Sequence, residues 1–357
     1  MLNILEICES YEGGVKTHLN KLSEYIINDK DIKGYFWVSG KRTKNEISNN
    51  FTVKDSLSTL INPIKQLKNI RDLKVFIKKN RIDIVHAHST YAAILLFLYC
   101  TFNGKKVKMV YTPHAYFSEK KMSRLKLALV IQIERILVKQ FNKVIHVSNE
   151  EEKHGLDNEI VKKENSTVIY NGIDNDLIQQ KPVEKNEKVI INIARVDEQK
   201  NPKAFIEFAE SYLEKVNFNV KFIYIGDGPL LEECRNLVCS LGLSKNIEFL
   251  GYRTDVRKYL EKSRLYFSTA RYEGLPYSVL EAMSIGLPVI LTNVIGHREL
   301  VVDNGYLIDT KKEFTKAIGS ILEDTTNEMG QNSVKLCLKR YGNEENYLKI
   351  IKLYKSL

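Results

Sequence analysis

Two glutamates lie on either side of a Gly-Leu-Pro turn in the segment RYEGLPYSVLEAMSIGLPVILT, residues 271–292. Glu273 directly precedes the turn, and Glu281 lies eight positions later, inside a segment with a helical pattern. Pro276 is typical of a first helical turn, and Gly286 is typical of a helix end. The pattern therefore predicts a helix from about Pro276 to Gly286, with both carboxylates near its beginning.

The residues around this turn could bind a phosphate group. The first N–H groups of a helix have no intrahelical partner, so those near Gly274, Leu275 and Tyr277 predict an anion site. Two cations, Arg195 and Lys200, follow another apolar strand pattern in RVDEQKN and could hold a diphosphate. Taken by themselves, these two cations are equally well explained as ordinary surface residues.

The two carboxylates must address a different part of such a ligand, because a carboxylate repels a diphosphate. Sugar hydroxyls on one side of the diphosphate and ribose hydroxyls on the other would suit Glu273 and Glu281. The pattern therefore favours a nucleoside diphosphate sugar as the ligand.

Three further turns place glycine after an apolar strand pattern. Gly13-Gly14 opens a helix in ESYEGGVKTHL, where glycine lets backbone N–H groups approach an anion, although a tight turn explains the pair equally well. In YIGDGPL and FLGYRTDV, backbone groups beside the glycine could contact a nucleobase or form simple turns. The Gly13-Gly14 turn matches neither the G-x-G-x-x-G fingerprint nor a Walker loop.

These residues need secondary-structure elements that bring them to one edge of a sheet. Short β-branched runs alternate with longer segments of helical period, which predicts an α/β fold with parallel strands joined by helices. The strand patterns are LNILEIC, GYFWVSG, DIVHAH, KMVYTPH and KVIHVS, and then KVIINIAR, VKFIYIGDG, NIEFLGY, RLYFSTA, LPVILT and GYLID. The second series predicts a second Rossmann-like sheet, with ligands at the carboxyl ends of strands and a cleft between the sheets. We expect the break at Asn171-Gly172, before a polar, Lys/Glu-rich linker.

The net charge of +10 lies entirely in the first half of the chain. Residues 1–170 carry 28 Lys+Arg and 18 Asp+Glu, whereas residues 171–357 carry 26 of each. Basic residues are concentrated in the segments 65–81 and 120–126. Such a face can attract an anionic membrane or a nucleic acid, but a solvated helix face is the simpler explanation for either segment alone. No RNA- or DNA-binding signature accompanies it, so we expect no nucleic-acid partner.

Cysteine, histidine and hydropathy patterns narrow the class of protein. The five cysteines are odd in number and scattered, as expected for reduced thiols in a cytoplasm. No set of His, Cys and carboxylate residues has metal-site spacing, and His86 and His88 alternate on one strand, where a structural role competes with acceptor contact. The first residues predict a buried strand rather than a secretory signal, and no segment is long enough to span a membrane. We therefore expect a cytoplasmic protein without a metal or another cofactor.

The motifs, taken in order, resemble those of one enzyme family. EGLPYSVLEAM is similar to the E-x7-E motif of the retaining GT-B glycosyltransferases of family 4, and EGGVKTHL, DIVHAHST, TPHAY, VSNEEEKHG, IYNGID, ARVDEQKN, IGDGP and FLGYRTDV occur in that family's order. The resemblance extends from Leu2 to about Leu307. It implies two Rossmann-like domains whose parallel sheets face a central cleft, with a C-terminal helix that crosses back. The implied domains are an acceptor-binding domain, 1–171 with 341–357, and a donor-binding domain, 172–340.

The resemblance also implies a role for each site residue. Arg195 and Lys200 would neutralise the leaving diphosphate without a metal. Glu273 would contact the 3-hydroxyl of the donor sugar, and His114 would lie beside that sugar and the reacting centre. The other donor contacts would be the backbone of Tyr252 and Arg253 for the base, Glu281 for the ribose, and Gly13, Gly14, Gly274, Leu275 and Pro276 around the phosphates.

The sequence departs from the family pattern at three places, one of which is the loop VVDNGYLI, which is short. Glycines that often flank the cations are replaced, since Ala194 precedes Arg195 and Asn201 follows Lys200. The Gly-Gly-x-x-Glu run that is common after the glutamate helix is Ile295-Gly296-His297-Arg298-Glu299 in this chain.

The resemblance implies a metal-independent hexosyltransferase that retains the anomeric configuration of the sugar. A UDP-sugar is favoured as donor because it is frequent in such enzymes. The acceptor is expected to be a hydroxyl of a glycan or an undecaprenyl-diphosphate-linked saccharide, in bacterial capsule, O-antigen or exopolysaccharide synthesis. The basic N-terminal domain favours peripheral contact with an anionic membrane at the inner face of the plasma membrane. The alternatives are a sugar-nucleotide epimerase or hydrolase on the same fold, and a non-catalytic nucleotide-sugar binding subunit.

Overall fold

The computed structural model describes residues 1–40, 51–58, 62–179, 188–215 and 220–357. The chain forms two compact units. The N-terminal unit comprises Met1–Tyr170 and Glu345–Leu357, and the C-terminal unit comprises Asn171–Glu344. Most of the Lys/Glu-rich linker that the sequence indicates after Asn171-Gly172 lies outside the described residues.

The N-terminal unit contains a seven-stranded sheet in the order β3-β2-β1-β4-β5-β6-β7, and all neighbouring strands are parallel. The strands are β1 (Leu2–Cys8), β2 (Ile32–Val38), β3 (Phe51–Val53), β4 (Ile84–His88), β5 (Lys108–Thr112), β6 (Lys143–His146) and β7 (Ser166–Val168). The first five helices are α1 (Gly13–Asn28), α2 (Pro63–Asn80), α3 (Thr90–Asn103), α4 (Arg124–Val138) and α5 (Asn149–Asp157).

The C-terminal unit contains a six-stranded sheet in the order β10-β9-β8-β11-β12-β13, and its neighbouring strands are also parallel. The strands are β8 (Val189–Ile193), β9 (Lys221–Ile225), β10 (Ile247–Gly251), β11 (Leu265–Ser268), β12 (Val289–Thr292) and β13 (Gly305–Ile308). The remaining helices are α6 (Pro202–Leu213), α7 (Leu231–Ser240), α8 (Val256–Lys262), α9 (Tyr277–Ser284), α10 (Lys311–Glu323), α11 (Glu328–Arg340) and α12 (Asn343–Ser356).

The N-terminal sheet has an apolar layer on each face, because alternate residues of a strand point to opposite sides. Leu5 and Ile7 of β1 pack in one cluster with residues of α2, α3 and α4. Ile4 and Cys8 pack in another cluster with residues of α1 and α12. From α12, this second cluster buries Tyr347, Ile350, Ile351 and Tyr354. The predicted return of the C-terminal helix to the N-terminal domain is therefore confirmed.

The predicted fold class, α/β with two parallel sheets, is also confirmed. The structure has a strand at each of the six patterns predicted in the second half of the chain. In the first half it adds β3 and β7, which are absent from the predicted patterns because three residues are too few to show an alternating pattern. Among the described residues, no helix combines the length and the apolar character that crossing a bilayer requires.

Candidate active site

Lys200 and Glu273 form an ion pair at the carboxyl edge of the C-terminal sheet. Lys200 lies in the loop after β8 and Glu273 in the loop after β11, and these two strands are parallel neighbours. The Lys200 ammonium group contacts Oε1 of Glu273 directly. The Glu273 side chain is 7% exposed and that of Lys200 is 16% exposed. The pair is therefore largely shielded from water, where an ionic contact is stronger than on the surface.

Arg195, the other predicted cation, lies in the same loop as Lys200. Its guanidinium group lies 3.1 Å from Oδ2 of Asp197 and donates a hydrogen bond of 2.9 Å to Gln199. The backbone N–H of Lys200 donates to Oδ1 of Asp197 at 3.1 Å. Asp197 thus joins the two cationic residues and fixes the shape of the loop between them.

Asn201 occupies the position after Lys200 where the family pattern often has glycine. Its φ is +52°, in the left-handed region that glycine enters freely and asparagine tolerates better than most residues. The hydroxyl of Thr269 donates to the carbonyl groups of Lys200 and Asn201, at 3.2 Å and 2.9 Å. The turn is therefore held by the neighbouring loop after β11.

The turn before α9 offers unpaired backbone donors. Helix α9 begins at Tyr277 with Pro276 as its N-cap, close to the predicted start. Gly274 and Leu275 are buried, and within the part of the chain that the structure describes their N–H groups have no hydrogen-bond partner. Asn171 holds the turn by donating to the carbonyl of Leu275 at 2.8 Å. Two shielded donors at a helix N-terminus are suited to an anion.

Gly296 supports this turn, a role that sequence analysis did not assign. Its φ is +81°, and a Cβ atom there would lie 2.2 Å from the carbonyl oxygen of Gly274 and 2.7 Å from that of Glu273. The chain keeps glycine at this one position of the family's Gly-Gly run, because the backbone of the Glu273 turn passes directly against it. The retained glycine is the feature of the sequence from which this supporting role could have been predicted.

His297, the next residue, is fully buried under the same turn. Its Nδ1 lies 2.9 Å from the carbonyl of Thr292, so Nδ1 carries the proton and donates. Burial lowers the pKa of His297, although nearby Glu273 raises it. A neutral imidazole therefore packs beside the Lys200–Glu273 pair.

Glu281 lies on α9 and is half-buried. Its carboxylate makes no hydrogen bond or ion pair with any residue that the structure describes. Burial raises the pKa of Glu281 to about 7. A half-buried group that ionises near neutrality and lacks a partner is characteristic of a ligand-binding position.

The glycines after β9 serve close packing, which favours the turn interpretation over free backbone donors. A Cβ atom on Gly226 would lie 1.8 Å from the carbonyl oxygen of Ala194, and the Gly226 N–H donates to Gly251 at 2.9 Å. A Cβ atom on Gly228 would lie 2.4 Å from the carbonyl oxygen of Val196 in the loop after β8. Tyr252 and Arg253 follow β10 and are exposed at the same sheet edge.

The N-terminal unit carries the remaining predicted residues. Gly13 begins α1 with a φ of +51°, and Gly14 follows it in the first turn. His114 follows β5, is half-buried and has a φ of +57°. Burial lowers the pKa of His114 well below its usual value, so the ring is neutral at pH 7.

His86 and His88 are fully buried, so the hypothesis that they contact the acceptor is not supported. Both bind the carboxylate of Glu6, with His88 Nε2 at 2.8 Å and His86 Nδ1 at 3.1 Å from Oε2. The hydroxyl of Tyr354 donates to the other oxygen of Glu6 at 2.8 Å. Burial by itself raises the pKa of Glu6, but the two histidines outweigh it and lower the pKa to about 2. Sequence analysis missed this network because its members come from β1, β4 and α12.

Family models match both units of the chain. Residues 13–177 match the model described as Glycosyltransferase Family 4, and residues 174–336 match the model described as Glycosyl transferases group 1. The chain belongs to glycosyltransferase family 4. This glycosyltransferase is 28% identical over 313 residues to the UDP-Gal:alpha-D-GlcNAc-diphosphoundecaprenol alpha-1,3-galactosyltransferase of Escherichia coli, covering 83% of the chain and 80% of the relative. It is 24% identical to the capsular polysaccharide biosynthesis glycosyltransferase CapH of Staphylococcus aureus, with 66% of each protein covered.

Solved structures agree with the predicted GT-B fold of this glycosyltransferase. The crystal structure of Anabaena HepE in complex with UDP and glucose superposes with a TM-score of 0.81 at 20% identity, covering 100% of both chains. Sucrose-phosphate synthase of Thermosynechococcus elongatus gives a TM-score of 0.83 at 17% identity, covering 100% of this chain and 99% of that one. At these identities the similarity concerns the fold.

Proposed function

We propose that the protein is a retaining glycosyltransferase that moves a sugar from a UDP-sugar to a hydroxyl of a glycan or lipid-linked saccharide during synthesis of a cell-surface polysaccharide. The observation that carries this proposal is the grouping of Lys200, Arg195 and Glu273 with the N–H groups of Gly274 and Leu275, which have no partner among the described residues. All lie in loops after two neighbouring parallel strands. Family membership supplies the class of reaction.

The cations and backbone donors are assigned to the diphosphate. Negative charge develops on this group as the bond to the sugar breaks, and donors that are already in position stabilise it in the transition state. Lys200 and Arg195 would do this with the two N–H groups, so this proposal requires no divalent metal at the diphosphate. Pro276, which follows these two donors in the chain, is the N-cap of α9 and so fixes where the helix begins.

The two glutamates are assigned to hydroxyl groups. Glu281 is half-buried without a partner, and an ionised carboxylate there would accept hydrogen bonds from ribose hydroxyls. Glu273 keeps one carboxylate oxygen against Lys200 and can present the other to the 3-hydroxyl of the sugar. Tyr252 and Arg253 are assigned to the base, while Gly13, Gly14 and His114 supply the contacts of the N-terminal unit.

His114 is assigned to a sugar hydroxyl rather than to a phosphate. Its ring is neutral at pH 7, and one of its nitrogens is engaged by His88. A neutral imidazole can donate a hydrogen bond to a hydroxyl or accept one from it, but it offers no positive charge to a phosphate. With a pKa so far below neutrality, His114 is also a weak base, so it positions the sugar.

UDP and a lipid-linked acceptor are favoured by the relatives. The E. coli relative is named for UDP-Gal and for an acceptor linked to diphosphoundecaprenol, and HepE was crystallised with UDP and glucose. The CapH relative acts in capsular polysaccharide biosynthesis. A similar donor and acceptor, at the inner face of the plasma membrane, are therefore the first to test for this chain.

The surface of the N-terminal unit supports contact with an anionic membrane. Helix α4 exposes Leu125, Leu129, Ile133 and Ile136, whose spacing places them on one face. Helices α2 and α4 both pack against α3. Helix α2 exposes Ile64, Leu67 and Val75. Basic residues lie beside both apolar faces, in the segments 65–81 and 120–126. Apolar residues flanked by cations are typical of a helix that lies in a lipid interface.

The test is a transfer assay in which UDP-sugars are offered with and without a polyprenyl-diphosphate saccharide. We expect one UDP-sugar to give a glycosylated lipid only when the acceptor is present, with the anomeric configuration of the donor retained in the NMR spectrum of the product. Release of free sugar without an acceptor would favour the hydrolase alternative, and conversion of the sugar on UDP would favour the epimerase. Saturable UDP-sugar binding with no turnover under any condition would favour the non-catalytic subunit.

A further inference from the structure

Three histidines of the N-terminal unit come together although the sequence keeps them far apart. His18 lies on α1, His88 ends β4, and His114 follows β5. One ring nitrogen from each lies within 4.8 Å of the other two. Nδ1 of His88 and Nε2 of His114 lie 3.1 Å apart. Sequence spacing did not suggest a metal site, because these three residues come from three separate elements.

The other nitrogen of His88 is held by a carboxylate. Nε2 of His88 lies 2.8 Å from Oε2 of Glu6, and this carboxylate oxygen accepts the Nε2 proton. This leaves Nδ1 of His88 as the nitrogen with a free lone pair, directed at His114. Histidines that bind metals usually donate their second N–H to a carboxylate in this way.

The nitrogens of His88 and His114 already face each other across a gap that suits two ligands of one metal ion. At present His88 and His114 share a hydrogen bond, which a metal ion between the same nitrogens would replace.

The geometry points to a binding site for a divalent transition-metal ion, Zn²⁺ in the first instance, formed by His18, His88 and His114. Three imidazole nitrogens favour zinc, copper or nickel over magnesium and calcium, which prefer oxygen ligands. Three histidines with a fourth position open to water or substrate is a known arrangement for zinc. His114 is half-buried, whereas His18 and His88 are buried.

Metal binding would regulate the enzyme, and this consequence rests on the proposed function. In the hydrogen-bonded state Nε2 of His114 donates to His88, so Nδ1 is free to accept a hydrogen bond from the sugar hydroxyl. Zinc on Nε2 would leave the ring proton on Nδ1 and so remove that acceptor. Zinc is therefore expected to inhibit sugar transfer, in contrast to the divalent metals that assist catalysis in other glycosyltransferases.

The site is tested by zinc binding to the full chain without a histidine tag, in competition with a chromophoric chelator. Cys239 is exposed and is replaced by serine in every sample, so that no surface thiolate competes. We expect one equivalent of Zn²⁺ to bind, and affinity to fall by roughly tenfold or more in both His18→Ala and His114→Ala. His154→Ala is the matched control, since His154 is a partly buried histidine of the same unit that binds Ser118 instead.

The identity of the ligands is read from Co²⁺ spectra, which separate nitrogen from sulfur ligation. Absence of stoichiometric zinc binding, or equal affinity in His114→Ala and His154→Ala, would overturn the site. Tight Mg²⁺ binding to the same residues would also overturn it. In active enzyme, half-inhibition should occur at the zinc concentration that gives half-occupancy. Because binding is measured without substrate, a protein that lacks transferase activity would fail only the second comparison.

Discussion

Lys200 and Glu273 lie 73 positions apart in the chain, yet their charged groups are in contact. The pair connects the loop after β8 to the loop after β11. Glu273 is buried, so Lys200 is the cation that compensates its charge in the interior. The same ammonium group is assigned to the diphosphate, which means that its removal should affect both stability and turnover.

Replacing Lys200 by alanine is expected to lower turnover by roughly a hundredfold or more, because one preorganised donor contributes about 3 kcal/mol to transition-state stabilisation. The change also leaves Glu273 buried without its cation, so it should lower the free energy of unfolding, by about 3 kcal/mol if the pair behaves as fully buried. Steady-state kinetics and a thermal melt of the same samples measure both effects.

Lys203→Ala is the control for that experiment. Lys203 lies three residues further on, in α6, where its exposed side chain forms a surface ion pair with Glu233. Such a pair contributes little to stability. If Lys200→Ala and Lys203→Ala were equally active, Lys200 would have no part in the chemistry.

Gly296→Ala should displace the Glu273 turn. The new Cβ atom would lie 2.2 Å from the carbonyl oxygen of Gly274, a distance that the backbone can relieve only by moving. We expect turnover to fall at least about tenfold and stability to fall by about 1 to 3 kcal/mol.

Gly242→Ala is the control that separates the effect of the contact from that of backbone strain. Gly242 also has a positive φ, +70°, but nothing lies within 4 Å of the position that a Cβ atom would take there. Equal loss of activity in both variants would argue against a role for the contact.

Glu281 should make UDP-sugar binding depend on pH near neutrality. Its pKa is raised to about 7, so the carboxylate is protonated at pH 6 and ionised at pH 8. An ionised carboxylate accepts hydrogen bonds from both ribose hydroxyls, so affinity should rise by roughly tenfold from pH 6 to pH 8. A UDP-sugar is the right probe because its two phosphates do not titrate in this range. Calorimetric titration at several pH values measures the effect.

Glu281→Gln tests the same group in the opposite direction. Its binding should be weaker and independent of pH, and a pH dependence like that of the natural chain would exclude Glu281 as its source. The free energy of unfolding depends on pH in the opposite direction to the binding affinity. Because the folded pKa is raised above the unfolded one, protonated Glu281 stabilises the fold at acid pH, and this contribution is lost as pH rises through about 7. The glutamine variant should not show that loss, which amounts to at most about 3 kcal/mol.

The apolar face of α4 should determine binding to lipid. Replacing Leu125 and Leu129 together by asparagine removes two exposed leucine side chains, each worth about 1.5 kcal/mol or more when buried in an apolar phase. Sedimentation with anionic vesicles should therefore weaken by more than about tenfold, and added salt should weaken it further in the natural chain. Leu338→Asn is the control, since Leu338 is also exposed, on α11 of the other unit. Binding that is absent, or unaffected by both salt and the double substitution, would contradict the proposed membrane contact.

Much of the fold and part of the site could be predicted from local patterns. The strand of RLYFSTA, the Gly-Leu-Pro turn and the helix after it follow from residue types within a few positions of each other, and the structure has all three. Asn201 was noted as a departure from the family pattern, but only its φ of +52° explains why asparagine is acceptable there. Gly296 was visible as a single retained glycine, and its contact with the Glu273 turn was not.

By itself, the sequence determined the alternation of strands and helices, the excess of positive charge in the first half, and the candidate residues that follow each strand. These properties depend on neighbouring positions, so they can be read along the chain. The tertiary structure alone decided which of these side chains meet. Glu6 binds His88 because β1 lies beside β4, and Lys200 binds Glu273 because β8 lies beside β11. The order of strands in a sheet depends on packing between elements, which no local pattern records.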